Sequence, residues 1–271
     1  YMKCFSFKEL KFKYGIFDES VDCTYIIHLE KNTQRLKNIK IQLHKYAPSK
    51  KIYIYNNKGF KKCKKNLYKQ KSNYDIIHSY LEIFKHAHSK KYNNILVLED
   101  DFILDRIILH EDINNINKFC LKNKQEYFNL SMGTVPLLFY PINKHFNKPI
   151  INFGVHNTIY SKKMRINLLN NEKYIYKVGD WDVHNNLIKN RYFYYKPLIY
   201  QRFEETENQK NWPLFICFKY ICLKYIKYMN FKNNPKKAFE LHYKISFGIS
   251  LLLFLFIIFI IYKLFFYLSC K

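Results

Sequence analysis

Between residues 23 and 101 the apolar positions switch between two spacings. Cys23 to Leu29 and Ile52 to Tyr55 are short apolar runs that predict buried strands. Between them, Leu36, Ile39 and Leu43 lie within Arg35 to Tyr46 at the spacing of one buried helix face. Tyr74 to His88 predicts a second helix with Ile76, Ile77, Tyr80, Leu81 and Phe84 turned inward. Ile95 to Leu98 then reads as a further strand, which stops abruptly at Glu99, Asp100 and Asp101. Strands alternating with helices indicate an α/β fold.

The C-terminal pattern is different. Ile245 to Tyr262 carries no charge; Lys263 interrupts, and Leu264 to Cys270 continues mostly apolar. About twenty helical residues, rising about 1.5 Å each, span a hydrocarbon core of about 30 Å, so this segment predicts a transmembrane helix. Lys224, Lys227, Lys232, Lys236, Lys237 and Lys244 precede it, while only Lys263 and Lys271 flank its far side. Lys and Arg stay on the cytoplasmic side of a membrane. The expectation is therefore a tail-anchored protein whose large N-terminal part faces the cytosol. The first twenty residues hold Lys3, Lys8, Glu9, Lys11 and Lys13 and no apolar run of signal-peptide length. Trp212 to Phe239, aromatic and Lys-rich, reads as a connection lying on the membrane face.

Composition sharpens this picture in two respects. The formal net charge is +25, yet arginine occurs only at 35, 106, 165, 191 and 202, and the lysines are scattered. Specific nucleic-acid recognition favours arginine forks on a localised basic face, so no specific nucleic-acid partner is expected. The seven cysteines, at 4, 23, 63, 120, 217, 222 and 270, form no CxxC pair and no zinc-finger spacing. Reduced thiols in a cytosol-facing domain are the expectation.

Three consecutive carboxylates at the end of a buried strand need an explanation. In open α/β sheets ligands bind beyond the carboxyl ends of the strands. Acids crowded there repel one another unless a cation intervenes, and oxygen ligands select hard ions such as Mg²⁺ or Mn²⁺. Side-chain alternation sends Glu99 and Asp101 to one side of the backbone and Asp100 to the other. A solvated acidic loop is the plainer alternative.

Further stretches resemble glycosyltransferase family 25, the lipooligosaccharide and collagen galactosyltransferase group of GT-A fold, over roughly residues 22 to 210. Tyr25-Ile26-Ile27-His28-Leu29, with Arg35 beyond it, is similar to the family's first strand, and His78 to Asp101 to its helix, turn and strand ending in L-E-D-D. Asn152 to Ser161 resembles its G-x-x-A-Y-x-x-S region, Val178 to Asp182 stands where it has a V-D pair, and Lys196 to Gln201 matches its P-x-x-x-Q ending. His28 replaces the family's Asn, His78-Ser79 stands where the family shows Ser-His, and the preceding Gly-Cys is missing.

The resemblance implies a GT-A-like, single Rossmann-type α/β domain with a mixed central sheet over residues 20–210. A basic, aromatic-rich juxtamembrane connection (211–244) and a transmembrane helix (245–268) follow. It implies transfer of a hexose from a nucleotide-sugar, such as a UDP-hexose, to a glycan or glycoprotein hydroxyl. Glu99 and Asp101 would hold the metal against the donor diphosphate. Arg35, His28, Asp100 and Gln201 would lie at the nucleotide or donor. Asp180 and Asp182 are the candidate general bases, with Trp181 between them offering a ring to a sugar face and His184 a possible extra metal ligand. Glu204, Glu205 and Glu207 read as a solvated exit from the domain. Two other classes stay open: a metal-dependent phosphoester hydrolase, for which no convincing set of further ligands is present, and a catalytically inactive, membrane-tethered binding protein.

Overall fold

The computed structural model describes residues 3–124, 126–154, 156–203 and 216–269. Its frame is a mixed sheet of nine strands in the order β1-β3-β2-β4-β9-β6-β10-β8-β7. In chain order these are β1 (Phe5–Lys11), β2 (Cys23–Leu29), β3 (Lys51–Asn57), β4 (Asn94–Glu99), β6 (Asn129–Ser131), β7 (Val135–Pro141), β8 (Phe146–Phe153), β9 (Thr158–Ser161) and β10 (Arg191–Tyr194). A two-stranded ribbon pairs β5 (Phe102–Leu104) with β11 (Ile199–Gln201). Strands β3, β2 and β4 run parallel, while β9 pairs antiparallel with β4.

Period-two alternation explains why these strands are buried on both faces. Ile26, Ile52, Ile54, Leu96 and Leu98 pack in one cluster with Ile39 and Leu43 of α1 (Thr33–Lys45) and Ile116 of α3 (His110–Lys122). Their neighbours Tyr25, Ile27, Tyr53, Tyr55, Ile95 and Val97 pack on the opposite face against Ile77, Tyr80, Leu81 and Phe84 of α2 (Ser72–Ser89). The same face carries Met164 and Leu168 of α4 (Lys162–Asn170), Ile175 of α5 (Glu172–Val178) and Trp181 of α6 (Trp181–Asn186).

The strands and helices expected before residue 101 are all present, but the sheet begins earlier: β1 pairs antiparallel with β3 as an added edge strand. The expectation of reduced thiols throughout is corrected. Cys4, just before β1, and Cys63 form a disulfide with Cα atoms 5.5 Å apart. Cys23, Cys120 and Cys222 are free.

The opposite edge of the sheet is covered by a helix. After α7 (Ile216–Tyr228), α8 (Pro235–Ser269) runs along β7. His242 Nε2 and Ser246 Oγ each donate to the Pro136 carbonyl at 2.7 Å, and the Phe139 amide donates to Ser250 Oγ at 3.1 Å. Phe231, Phe239 and Tyr243 join Phe139, Phe193 and Tyr200 in a third apolar cluster. Beyond Ser250 the same helix leaves the domain with exposed apolar side chains on every face, including Leu252, Phe254, Phe256 and Ile261. It is long and apolar enough to cross a membrane.

Candidate active site

Strand β4 separates the three acids as alternation requires. Ile95 and Val97 face α2, and Glu99 continues that face: Tyr80 of α2 donates its hydroxyl to Glu99 Oε1 at 3.4 Å. Leu96 and Leu98 face α1, and Asp100 continues theirs. Arg35 of α1 donates to Asp100 Oδ1 at 2.6 Å, while His28 Nδ1 (3.0 Å) and the Leu29 amide (3.3 Å) reach Asp100 Oδ2. Asp100 is thus clamped between β2 and α1. His28 is one jaw of that clamp, and Arg35 is the other. Both were expected at the nucleotide, as was Asp100; the three side chains bind one another at this turn.

Glu99 and Asp101 also feel the Arg35 charge, which lowers both. Gln201, on the ribbon strand β11, donates its Nε2 to Glu99 Oε2 at 3.4 Å, and its amide side chain lowers the Asp101 carboxyl. Asp101 is 7% exposed, and its Oδ1 has no hydrogen-bond partner among the described residues. Burial, then the neighbouring Asp101 and Asp182 charges, push the Glu99 carboxyl up to about 8. Burial likewise lifts Asp101 to about 7, against the pull of Arg35. Burial and the neighbouring acids thus hold both carboxyls well above the ordinary carboxylate range. Magnesium typically takes one or two carboxylates and completes its shell with water and substrate phosphate, and the Glu99–Asp101 pair fits that donor set. No group of three or more potential ligand side chains gathers at one point among the described residues, so phosphate and water would fill the other positions.

The candidate bases part company. Gly179, at φ +73°, ends α5 in the left-handed conformation that favours glycine. Asp180 then caps α6, accepting the Val183 amide at 3.0 Å, so it serves the helix-terminal role expected of an N-cap carboxylate. Asp182 lies close enough to raise the Glu99 carboxyl by its charge, and its Oδ2 accepts the Gly154 amide at 3.0 Å. Gly154 sits at φ +66°, and an added Cβ would lie 2.5 Å from His156 Cε1. A side chain there would displace the loop that holds Asp182.

Trp181 corrects the expectation of a sugar-stacking ring. It is 4% exposed and stacked on Tyr80 with centroids 4.2 Å apart. Its role is to lock α6 onto α2, which brings Asp182 beside Glu99. His184 is buried beside Trp181, and burial lowers it to about 4; it stays neutral and packs into the core face rather than reaching the acids. His86 Nδ1 shares a hydrogen bond with the Tyr25 hydroxyl at 2.7 Å, and its ring stacks on Phe7. Glu204, Glu205 and Glu207 lie outside the described residues. The Arg202 amide bonds the Asp101 carbonyl; a cleft of about 480 Å³ is lined by Gln42, Lys45, Arg106, Arg202 and Lys232 and by none of Glu99, Asp101, Asp182 or Gln201.

No family model matches this chain, and no curated protein does. Among solved structures, A197 from STIV is similar with a TM-score of 0.38 and 10% identity, covering 68% of this chain and 86% of that one. A glycosyltransferase involved in the glycosylation of the major capsid of PBCV-1 is similar with a TM-score of 0.37 and 12% identity, covering 70% and 96%. At these scores neither likeness transfers a function.

Proposed function

We propose that this chain is a membrane-anchored, metal-dependent glycosyltransferase that takes a hexose from a nucleotide-sugar. The carrying observation is the approach of Gln201 and Asp182 to Glu99 and Asp101 at the carboxyl end of β4, with one buried Asp101 oxygen that has no hydrogen-bond partner among the described residues. In this reading Glu99 and Asp101 hold Mn²⁺ or Mg²⁺, which stabilises the charge growing on a departing nucleoside diphosphate. Gln201 orients both carboxylates. Asp182, held by the Gly154 amide and partly exposed, takes the proton of the acceptor hydroxyl. Asp180 is left to cap α6. The Asp100–Arg35–His28 clamp keeps the turn in place and contributes no group to the substrate.

Helix α8 is the proposed anchor. Its Lys-rich flank favours a cytosolic domain, whereas a persistent Cys4–Cys63 bond favours an oxidising compartment. Peptide mapping of the native chain without reductant, with free thiols blocked at lysis, separates the two.

The test of the activity is turnover by the full chain in detergent, across a panel of nucleotide-sugars, with and without Mn²⁺. Metal-dependent release of nucleoside diphosphate, lost in Asp101→Asn, is the expected result. Activity that survives a strong chelator overturns the metal mechanism. Donor binding without turnover by the wild-type chain identifies the inactive binding protein instead.

A further inference from the structure

We infer that the tip of the β7–β8 hairpin is a second membrane contact, seated in the interfacial layer of the bilayer that α8 enters; this rests on α8 being the membrane anchor. The observation is a shared register. Strand β7 and helix α8 advance in the same direction: Pro136 is bonded by His242 and Ser246, and Phe139 by Ser250, with the Phe139 ring 6.2 Å from that of Phe247. A strand advances about 3.3 Å per residue and a helix about 1.5 Å, so the strand outruns the helix it lies on. Phe139 is already level with Ser250, which stands inside the uncharged stretch beginning at Ile245. The residues that follow Phe139 therefore reach the level of the turns just past Ser250, where α8 has become apolar on all sides.

The chemistry of the tip suits that level. Tyr140 and Ile142 are 48% and 47% exposed although nothing in the domain requires them to be apolar. Pro141, Asn143 and Lys144 are exposed beside them. Tyrosine prefers the membrane–water interface, where its ring is buried and its hydroxyl stays wet. Lys144 keeps its charge among the headgroups by extending its stem, which limits the depth of insertion. The lipid interface is the occupant because the tip adjoins the helix already entering it. Two contacts, one helix and one hairpin beside it, fix the rotation of the domain about α8 as well as its height.

The test uses the full chain reconstituted in phosphatidylcholine vesicles containing phosphatidylglycerol, with bromine carried at shallow or mid-chain positions. Three variants are compared with the parent, whose own Trp181 and Trp212 supply the background. Phe254→Trp reports on α8, Ile142→Trp on the hairpin and Ile41→Trp on an exposed position of α1. Expected are loss of most of the added emission of Ile142→Trp with shallow bromine, loss for Phe254→Trp with mid-chain bromine, and no loss for Ile41→Trp. Quenching at Phe254→Trp without quenching at Ile142→Trp overturns the hairpin contact while leaving the anchor intact. Absence of quenching at both overturns the anchor and the inference with it. A blue-shifted but unquenched Ile142→Trp means that protein, such as a second copy, covers the tip, and also overturns it.

Discussion

Removing the guanidinium of Arg35 tests whether that residue serves the fold or the ligand. Asp100 is 6% exposed and receives three donors: Arg35 at 2.6 Å, His28 at 3.0 Å and the Leu29 amide at 3.3 Å. Breaking a buried ion pair by deleting one partner costs about 3–5 kcal/mol because the other charge is left uncompensated. Two donors remain after Arg35→Met and Arg35 itself is 14% exposed, so the expected loss is smaller, about 2–3 kcal/mol. Asp100→Asn removes the charge that needs compensation, and the double variant should recover part of the loss. The expected coupling is about 1–3 kcal/mol. The assay is denaturant unfolding of the full chain in detergent, followed by near-UV circular dichroism of the aromatic core. Because the clamp sets the turn that carries Glu99 and Asp101, Mn²⁺ affinity should fall in the same variants. Effects that add to within about 0.5 kcal/mol would refute the clamp. So would an Arg35→Met chain with unchanged stability and weakened nucleotide binding, which would return Arg35 to the ligand.

Three further outcomes follow from the same geometry. In the metal-free chain Glu99 and Asp101 keep protons, to about pH 8 and about pH 7, that the unfolded chain releases near pH 4. The folded state then binds more protons across that window, so stability is full below it and falls as pH rises from about 4 to 8; melting curves in chelator should show this, Asp101→Asn should flatten it, and Mn²⁺ should stabilise more at pH 8 than at pH 6. Trp181→Ala should cost about 3–5 kcal/mol in unfolding experiments, with Trp181→Phe costing far less, since the loss is one of packing against Tyr80. Cys4→Ser should lower stability under oxidising conditions by about 4 kcal/mol, from the loop closed across a sequence separation of 59, and leave it unchanged in reductant.

Much of the frame was legible because burial and period reinforce each other there. Cys23–Leu29 is apolar on both faces of a central strand, and Ile77, Tyr80, Leu81 and Phe84 repeat at helical spacing, so both elements stood out. Strand β1 did not. Phe5 and Phe7 alternate with Ser6 and Lys8, but an edge strand is only half covered, and Lys-rich flanks hide a short alternation. The split of the three acids followed from alternation alone. What holds Asp100 did not, because Arg35 lies 65 residues away and no local pattern pairs them. Trp181 between two acids reads the same whether its ring faces a sugar or Tyr80; only the packing of α6 on α2 distinguishes these. The disulfide was equally hidden, since a separation of 59 residues carries no spacing signal.

The unbroken course of α8, bonded to β7 at Pro136 and Phe139 and then continuing as the apolar segment, makes it a mast rather than a leash. An enzyme on a slack stalk sweeps a wide volume and meets acceptors at many distances from the lipid. A domain mounted on a stiff shaft works at one height, so under the proposed function the hydroxyls within its reach would be those that some other molecule presents at that height.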